Sequence, residues 1–95
     1  MKIRRIVGKS MEPAYTEGQV VVFRRSKKIS SGDVVLAIVD GREVIKRIAD
    51  VTKDTVYLLG DNATHSTDSR HYGFVAKNQL YGKIVLVIPF TAKRS

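Results

Sequence analysis

Ser10, Lys46 and the polar stretch from Gly60 to Gly73 are the parts of this chain whose residue types suggest chemistry. Ser10 stands in Gly8-Lys9-Ser10-Met11-Glu12-Pro13, where glycine and proline favour a turn over a ladder. A serine on a turn can present its hydroxyl and leave nearby backbone N–H groups free for an oxyanion. It can equally cap or bond locally. Lys46 interrupts an apolar run. Strand alternation puts Val44, Lys46 and Ile48 on one face and Glu43, Ile45, Arg47 and Ala49 on the other. Such a lysine either snorkels to water from an edge or is desolvated, which lowers its pKa. A neutral amine can accept the proton of a serine hydroxyl. The stretch GDNATHSTDSRHYG carries one aliphatic side chain. Its Asp, Asn, Ser and Arg content predicts an ordered, hydrogen-bonded loop, and loops this long are usually functional or disordered. His65 and His71 lie in it. Histidine is the commoner base for a serine nucleophile, so both compete with Lys46 for that role. They stand beside Asp61 and Asp68 but read as exposed loop side chains, and no metal or cofactor is assigned.

These groups need a framework, and the apolar pattern predicts one made of strands. Short β-branched runs occur at Ile3 to Val7, Val20 to Phe23, Val34 to Val39, Val44 to Ile48, Val56 to Leu59 and Ile84 to Ile88. Turn residues separate them: Glu17-Gly18, Ser30-Ser31-Gly32-Asp33 and Asp40-Gly41. This is the pattern of an all-β domain. Asp40-Gly41 between two runs predicts a hairpin with a type I′ turn. No stretch keeps a helical period, and at most a turn of helix fits near Glu12 to Thr16 or Ala76 to Leu80.

Length and composition set the bounds. The 95 residues suit one domain, taken as 1–95. Cysteine is absent, which excludes a disulfide framework and a cysteine nucleophile. The formal charge is +8, with cations grouped at Lys2, Arg4, Arg5 and Lys9, at Arg24, Arg25, Lys27 and Lys28, and at Lys93 and Arg94. Such groups form a solvated face or suit nucleic acid or an anionic membrane. The longest apolar runs, Val34 to Val39 and Ile84 to Phe90, fall short of the roughly 20 residues of a membrane span. The chain as given is therefore expected to be soluble or peripheral to a membrane.

Taken together, the segments resemble the signal peptidase I family. Gly8-Lys9-Ser10-Met11-Glu12-Pro13 resembles its nucleophile box and Gly32-Asp33-Val34-Val35 its second box. Val44-Ile45-Lys46-Arg47 resembles its lysine box. Gly60-Asp61-Asn62, Ser66, Asp68-Ser69-Arg70 and Tyr72-Gly73 resemble its last box, spacing included. The four boxes stand in family order, and a Gly82 to Pro89 strand follows. The resemblance implies a serine endopeptidase with a Ser-Lys dyad on a coiled or barrel-like antiparallel sheet with little or no helix. Ser10 would be the nucleophile and Lys46 the general base. Ser66 would orient the lysine amine by a hydrogen bond. Asp68 and Arg70 would form an ion pair that holds the loop, supported by Asp61 and Asn62. Ile6, Val7, Met11, Val44 and Ile45 would line shallow pockets for small residues before the scissile bond, in the Ala-X-Ala pattern usual for the family. A peptide or preprotein would be the partner, added as a strand to a sheet edge. Family members act at the outer face of the membrane.

This sequence departs from the family in places. Gly8 stands where some members carry a hydroxyl that assists the oxyanion, which leaves the Ser10 N–H and water. Ala14 replaces a common threonine. The short Lys46–Gly60 interval and the short segment before Ser10 leave no room here for the second domain or N-terminal anchor of larger members. A nearby branch removes the leader of nickel superoxide dismutase, and the compact size fits it too. A self-cleaving repressor of the SOS type also uses Ser and Lys but lacks the last box. A basic β domain for nucleic acid would need an aromatic stripe, and the aromatic residues form none.

Overall fold

The computed structural model describes residues 1–88. Pro89 of the expected last strand, Phe90, and the cations Lys93 and Arg94 lie outside the described residues. Seven strands form one antiparallel sheet: β1 (Lys2–Arg5), β2 (Val20–Arg24), β3 (Val34–Val39), β4 (Arg42–Val51), β5 (Thr55–Leu59), β6 (Val75–Ala76) and β7 (Leu80–Ile88). Their order across the sheet is β1-β2-β7-β3-β4-β5-β6. The all-β expectation is borne out.

The β3–β4 hairpin is the one the Asp40-Gly41 dipeptide predicts. Val39 pairs with Arg42, and Asp40 and Gly41 take φ values of 51° and 77°. Positive φ at both positions is the requirement of a type I′ turn. Strand β3 is central and, apart from the exposed Ile38, buried on both faces, as its unbroken apolar run suggests. Val35, Ala37 and Val39 pack with Ile48, Val56, Leu58 and Val75. Leu36 points the other way, into a second cluster with Ile6, Val21 and Phe23. Register shifts at Val22/Phe23, Leu36/Ala37 and Ile48/Asp50 bend the sheet, as bulges do.

Helix placement needs a correction. Glu12 to Thr16 forms hydrogen-bonded turns, with the Tyr15 N–H donating to the Met11 carbonyl at 2.9 Å. The α-helix, α1 (Ser69–Tyr72), lies inside the stretch read as loop. Asp68 caps it by accepting the Arg70 N–H, and His71 closes a capping box. Four residues are too few to show a helical period, so the cap is what defines the element. The same stretch holds a 3-10 turn at Ala63–His65, and a second lies at Lys77–Gln79, inside the Ala76 to Leu80 segment where a turn of helix fits the sequence.

Candidate active site

Strand β4 offers one open edge beside the residues of interest. All of Arg42 to Arg47 pairs with β3, but pairing with β5 begins only at Arg47. The Arg42–Lys46 segment therefore borders a cleft of about 330 Å3 instead of a strand. Ser10 and Lys46 both line this cleft, together with Ile6, Val7, Met11, Val44 and Ile45. So the nucleophile candidate, the lysine and all five pocket candidates meet in one place, although they come from β4 and from the loop after β1. Arg4, Arg5, Leu36 and Glu43 complete the lining.

Lys46 is 6% exposed. It sits opposite Val35 in the β3–β4 register, on the face it shares with Val44 and Ile48. Burial pushes its ammonium below the ordinary lysine value, the Asp68 carboxylate partly offsets this, and Arg70 adds to the lowering. Ser10 is half-buried in the turn after β1. Gly8, at φ 79°, turns the chain out of the strand direction just before it. The Asn62 N–H donates to the Ser10 carbonyl at 2.8 Å. Among the described residues the Ser10 N–H has no acceptor.

Asp68 anchors the last loop. Its side chain is fully buried and accepts from the Gly60 N–H at 2.8 Å, the Ser66 hydroxyl at 2.8 Å and the Arg70 Nε at 2.9 Å. Burial alone would raise the carboxyl, but these donors hold it well below the usual carboxylate range. The Asp68–Arg70 ion pair is formed, with Arg70 at the solvent side. The Ser66 hydrogen goes to Asp68 rather than to Lys46. Its oxygen keeps lone pairs with which to accept.

Two connections were missed by sequence reasoning. Arg47 makes a bidentate pair with Asp61, both contacts at 2.8 Å, and donates to the Gly32 carbonyl at 2.8 Å. One guanidinium thus joins three of the four boxes. The signal was present as a cation next to Lys46 and a lone acid in Gly60-Asp61-Asn62, but nothing in a sequence pairs residues 14 apart across strands. Arg4 and Glu43 form the second pair, at 2.6 and 2.7 Å, across one end of the cleft. His65 and His71 are exposed. His65 Nδ1 contacts the Thr64 hydroxyl, and His71 Nδ1 faces the Asp68 N–H. No group of three or more His, Cys, Asp or Glu among the described residues is placed to hold a metal ion.

Parts of this chain are similar to known proteins. The S24-like peptidase family profile matches residues 2–85. A signal peptidase I of Bacillus caldolyticus is 41% identical over 54 residues, which are 57% of this chain and 26% of that protein. A signal peptidase I of Buchnera aphidicola is 46% identical over 37 residues, 39% of this chain and 12% of that protein. The resemblance read from the four boxes is borne out, over a minor part of those relatives' lengths.

Proposed function

The chain belongs to the S24-like peptidase family, and on that premise we propose that it is a serine endopeptidase using Ser10 and Lys46 as a dyad. The observation that carries the reading is one cleft lined by a half-buried serine on a turn and a buried lysine whose charged form is disfavoured. A lysine kept partly neutral can take the Ser10 proton as the hydroxyl attacks a peptide carbonyl. The Ser10 N–H would meet the oxyanion. The protonated Lys46 would then give its proton to the leaving amine, and the neutral amine would activate water to release the acyl group. Asp68 and Arg70 would act as positioning residues, and Ser66, held by Asp68, would orient the lysine amine. Asp61 and Asn62 tie that loop to Arg47 and to the Ser10 backbone.

The substrate is an N-terminal signal or leader peptide cleaved after small residues. The shallow apolar lining from Ile6, Val7, Met11, Val44 and Ile45 supports small side chains there. The open edge of β4 supports an extended backbone added as a strand. Incubating the protein with Ala-X-Ala peptides and with a nickel superoxide dismutase leader, read by mass spectrometry, tests this. Cleavage after the small residue is expected. Intact peptides, with Ser10→Ala indistinguishable from the parent, would defeat the reading.

A further inference from the structure

The cleft beside Ser10 does not end in neutral surface. Glu43 lies three residues from Lys46 on β4, roughly 10 Å along the strand, and its pair with Arg4 spans the cleft there. Lys2 is two residues beyond Arg4 on the same face of β1. Its Nζ stands 5.1 Å from the centre of the Tyr81 ring, and Arg25 Cζ stands 5.6 Å from the same ring. Tyr81 packs on the Ile6–Phe23 cluster, as does Ile45, which itself lines the Ser10 cleft. Tyr81 also lines a second cleft of about 630 Å3, with Arg25, Lys27 and Lys77. Among the described residues no carboxylate lines that second cleft. Cations therefore lead from the end of the apolar pockets into an open basic trough. Two of them share one aromatic ring; Glu43 is within electrostatic reach of Lys2, so the unbalanced cations are those of the second cleft.

We propose that this trough binds acidic side chains of the substrate, upstream of the small residues that precede the scissile bond. The inference rests on the peptidase reading, and it deepens it by naming a substrate class: an acidic leader segment rather than an apolar signal core. About three extended residues span the distance from Lys46 to Glu43. The trough lies beyond Glu43, so the acidic residues begin more than about three positions before the cleaved bond. Single exposed ion pairs contribute little, but Arg25, Lys27 and Lys77 facing one strand act together and attract an anionic chain from a distance.

Three peptides with one Ala-X-Ala core and acidic, neutral or basic upstream extensions test it. With the parent protein at low salt, the acidic extension should raise kcat/KM about ten-fold over the neutral one. High salt should remove most of that gain, because exposed charges are screened. The triple variant Arg25→Glu, Lys27→Glu, Lys77→Glu should reverse the order of the peptides, with folding checked by its melting curve. Cleavage of all three peptides at equal rates overturns the trough and leaves the peptidase reading standing. Cleavage of none defeats the peptidase reading. In that case fluorescence anisotropy of the acidic peptide on Ser10→Ala decides the trough, which requires weaker binding by the triple variant in that background. Vesicles containing phosphatidylglycerol form the last arm. Binding to them without any preference among the peptides overturns the assignment to substrate.

Discussion

The Asn62 N–H donates to the Ser10 carbonyl at 2.8 Å, which fastens the last loop directly to the nucleophile's own backbone. Asp61, one residue earlier, holds Arg47 next to Lys46. The two candidate dyad residues are thus referenced to one short segment, although 36 positions separate them in the chain. A shift of this segment moves both ends of the dyad, and a dyad depends on sub-ångström alignment.

Replacing Arg47 by Ala should therefore reduce activity more than stability. The bidentate pair is partly exposed, so its loss alone is worth little in folding free energy. The Gly32 carbonyl and Asp61 would lose a shared donor, and the loop would no longer be fixed against β4. A fall in kcat of ten-fold or more, on the order of a misplaced catalytic group, with a melting temperature within a few degrees of the parent, is expected. Equal loss in both, or in neither, would contradict the positioning role.

Gly60 is a steric hinge point of the site. A Cβ there would lie 2.2 Å from Ser66 Oγ and 2.9 Å from the Ser10 carbonyl oxygen. Its φ is not in the left-handed region, so contact alone forbids a side chain. Gly60→Ala should push Ser66 and the Ser10 turn apart, lowering the melting temperature by overpacking worth about 1–3 kcal/mol and lowering kcat. A variant with wild-type kinetics would show that this approach does not matter to the chemistry.

Asp68 gathers donors that no other residue can satisfy. Asp68→Ala leaves the Gly60 N–H and the Ser66 hydroxyl without an acceptor. Breaking a buried charged network in this way costs about 3–5 kcal/mol, a drop on the order of 15–25 °C for a chain of this size. Arg70→Ala should also lower the melting temperature. The Asp68 carboxyl is held below its unfolded value, so its contribution is fully present above about pH 4. It is lost as pH falls from there through the folded value. Stability of the parent should accordingly fall as pH drops below about 4, and Asp68→Asn should be less pH-dependent in that window. Identical acid profiles would argue against a stabilising carboxylate.

The strands were readable because β-branched runs and turn dipeptides are local signals. Asp40-Gly41 specified its turn through two positive φ values, and the Val34 to Val39 run matched β3 residue for residue. Elsewhere the ends moved. Strand β4 extends from Arg42 to Val51 because Glu43, Arg47 and Asp50 can occupy exposed or ion-paired positions that an apolar run does not mark. Strand β7 begins at Leu80 and passes through Gly82, where a Cβ would lie 2.0 Å from the Arg24 carbonyl. That glycine looks like a strand breaker and is instead required by close strand approach. Helix α1 and the two-residue β6 depend on Asp68 and on pairing with β5, which are tertiary facts. At the site, the boxes named the residues, but the ion pairs Arg47–Asp61 and Arg4–Glu43 join distant positions and carry no local pattern.

Ser10 and Lys46 should behave as one unit against the histidines. Ser10→Ala should abolish turnover and leave the melting curve intact. Lys46→Ala should lose about 10²–10⁴-fold, the usual worth of a general base. Lys46→Arg should be equally inactive, because a guanidinium stays protonated. His65→Ala and His71→Ala should retain most activity, since both rings are exposed and neither lines the Ser10 cleft. Loss of activity in either histidine variant, with retention in Lys46→Ala, would overturn the dyad.

The pH dependence separates a buried lysine base from any other arrangement. Burial is the main force lowering Lys46, Asp68 opposes it, and Arg70 assists it. The rate should rise with pH along a limb set by a pKa below the ordinary lysine value of 10.5. Stability has the same sign. Between the folded pKa and the unfolded one, the unfolded chain binds more protons at this site, so folding becomes more favourable as pH rises. Lys46→Met should remove that rise and leave the protein more stable than the parent below the folded pKa, where the parent buries a charge. Arg70→Gln supplies the sharper kinetic test. It removes a nearby positive charge and leaves the Asp68 carboxylate less neutralised, and both changes favour the protonated amine. The limb should move to higher pH in this variant, toward the ordinary lysine value. A limb that stays in place, or moves to lower pH, would mean that the titrating group is not a lysine beside this ion pair.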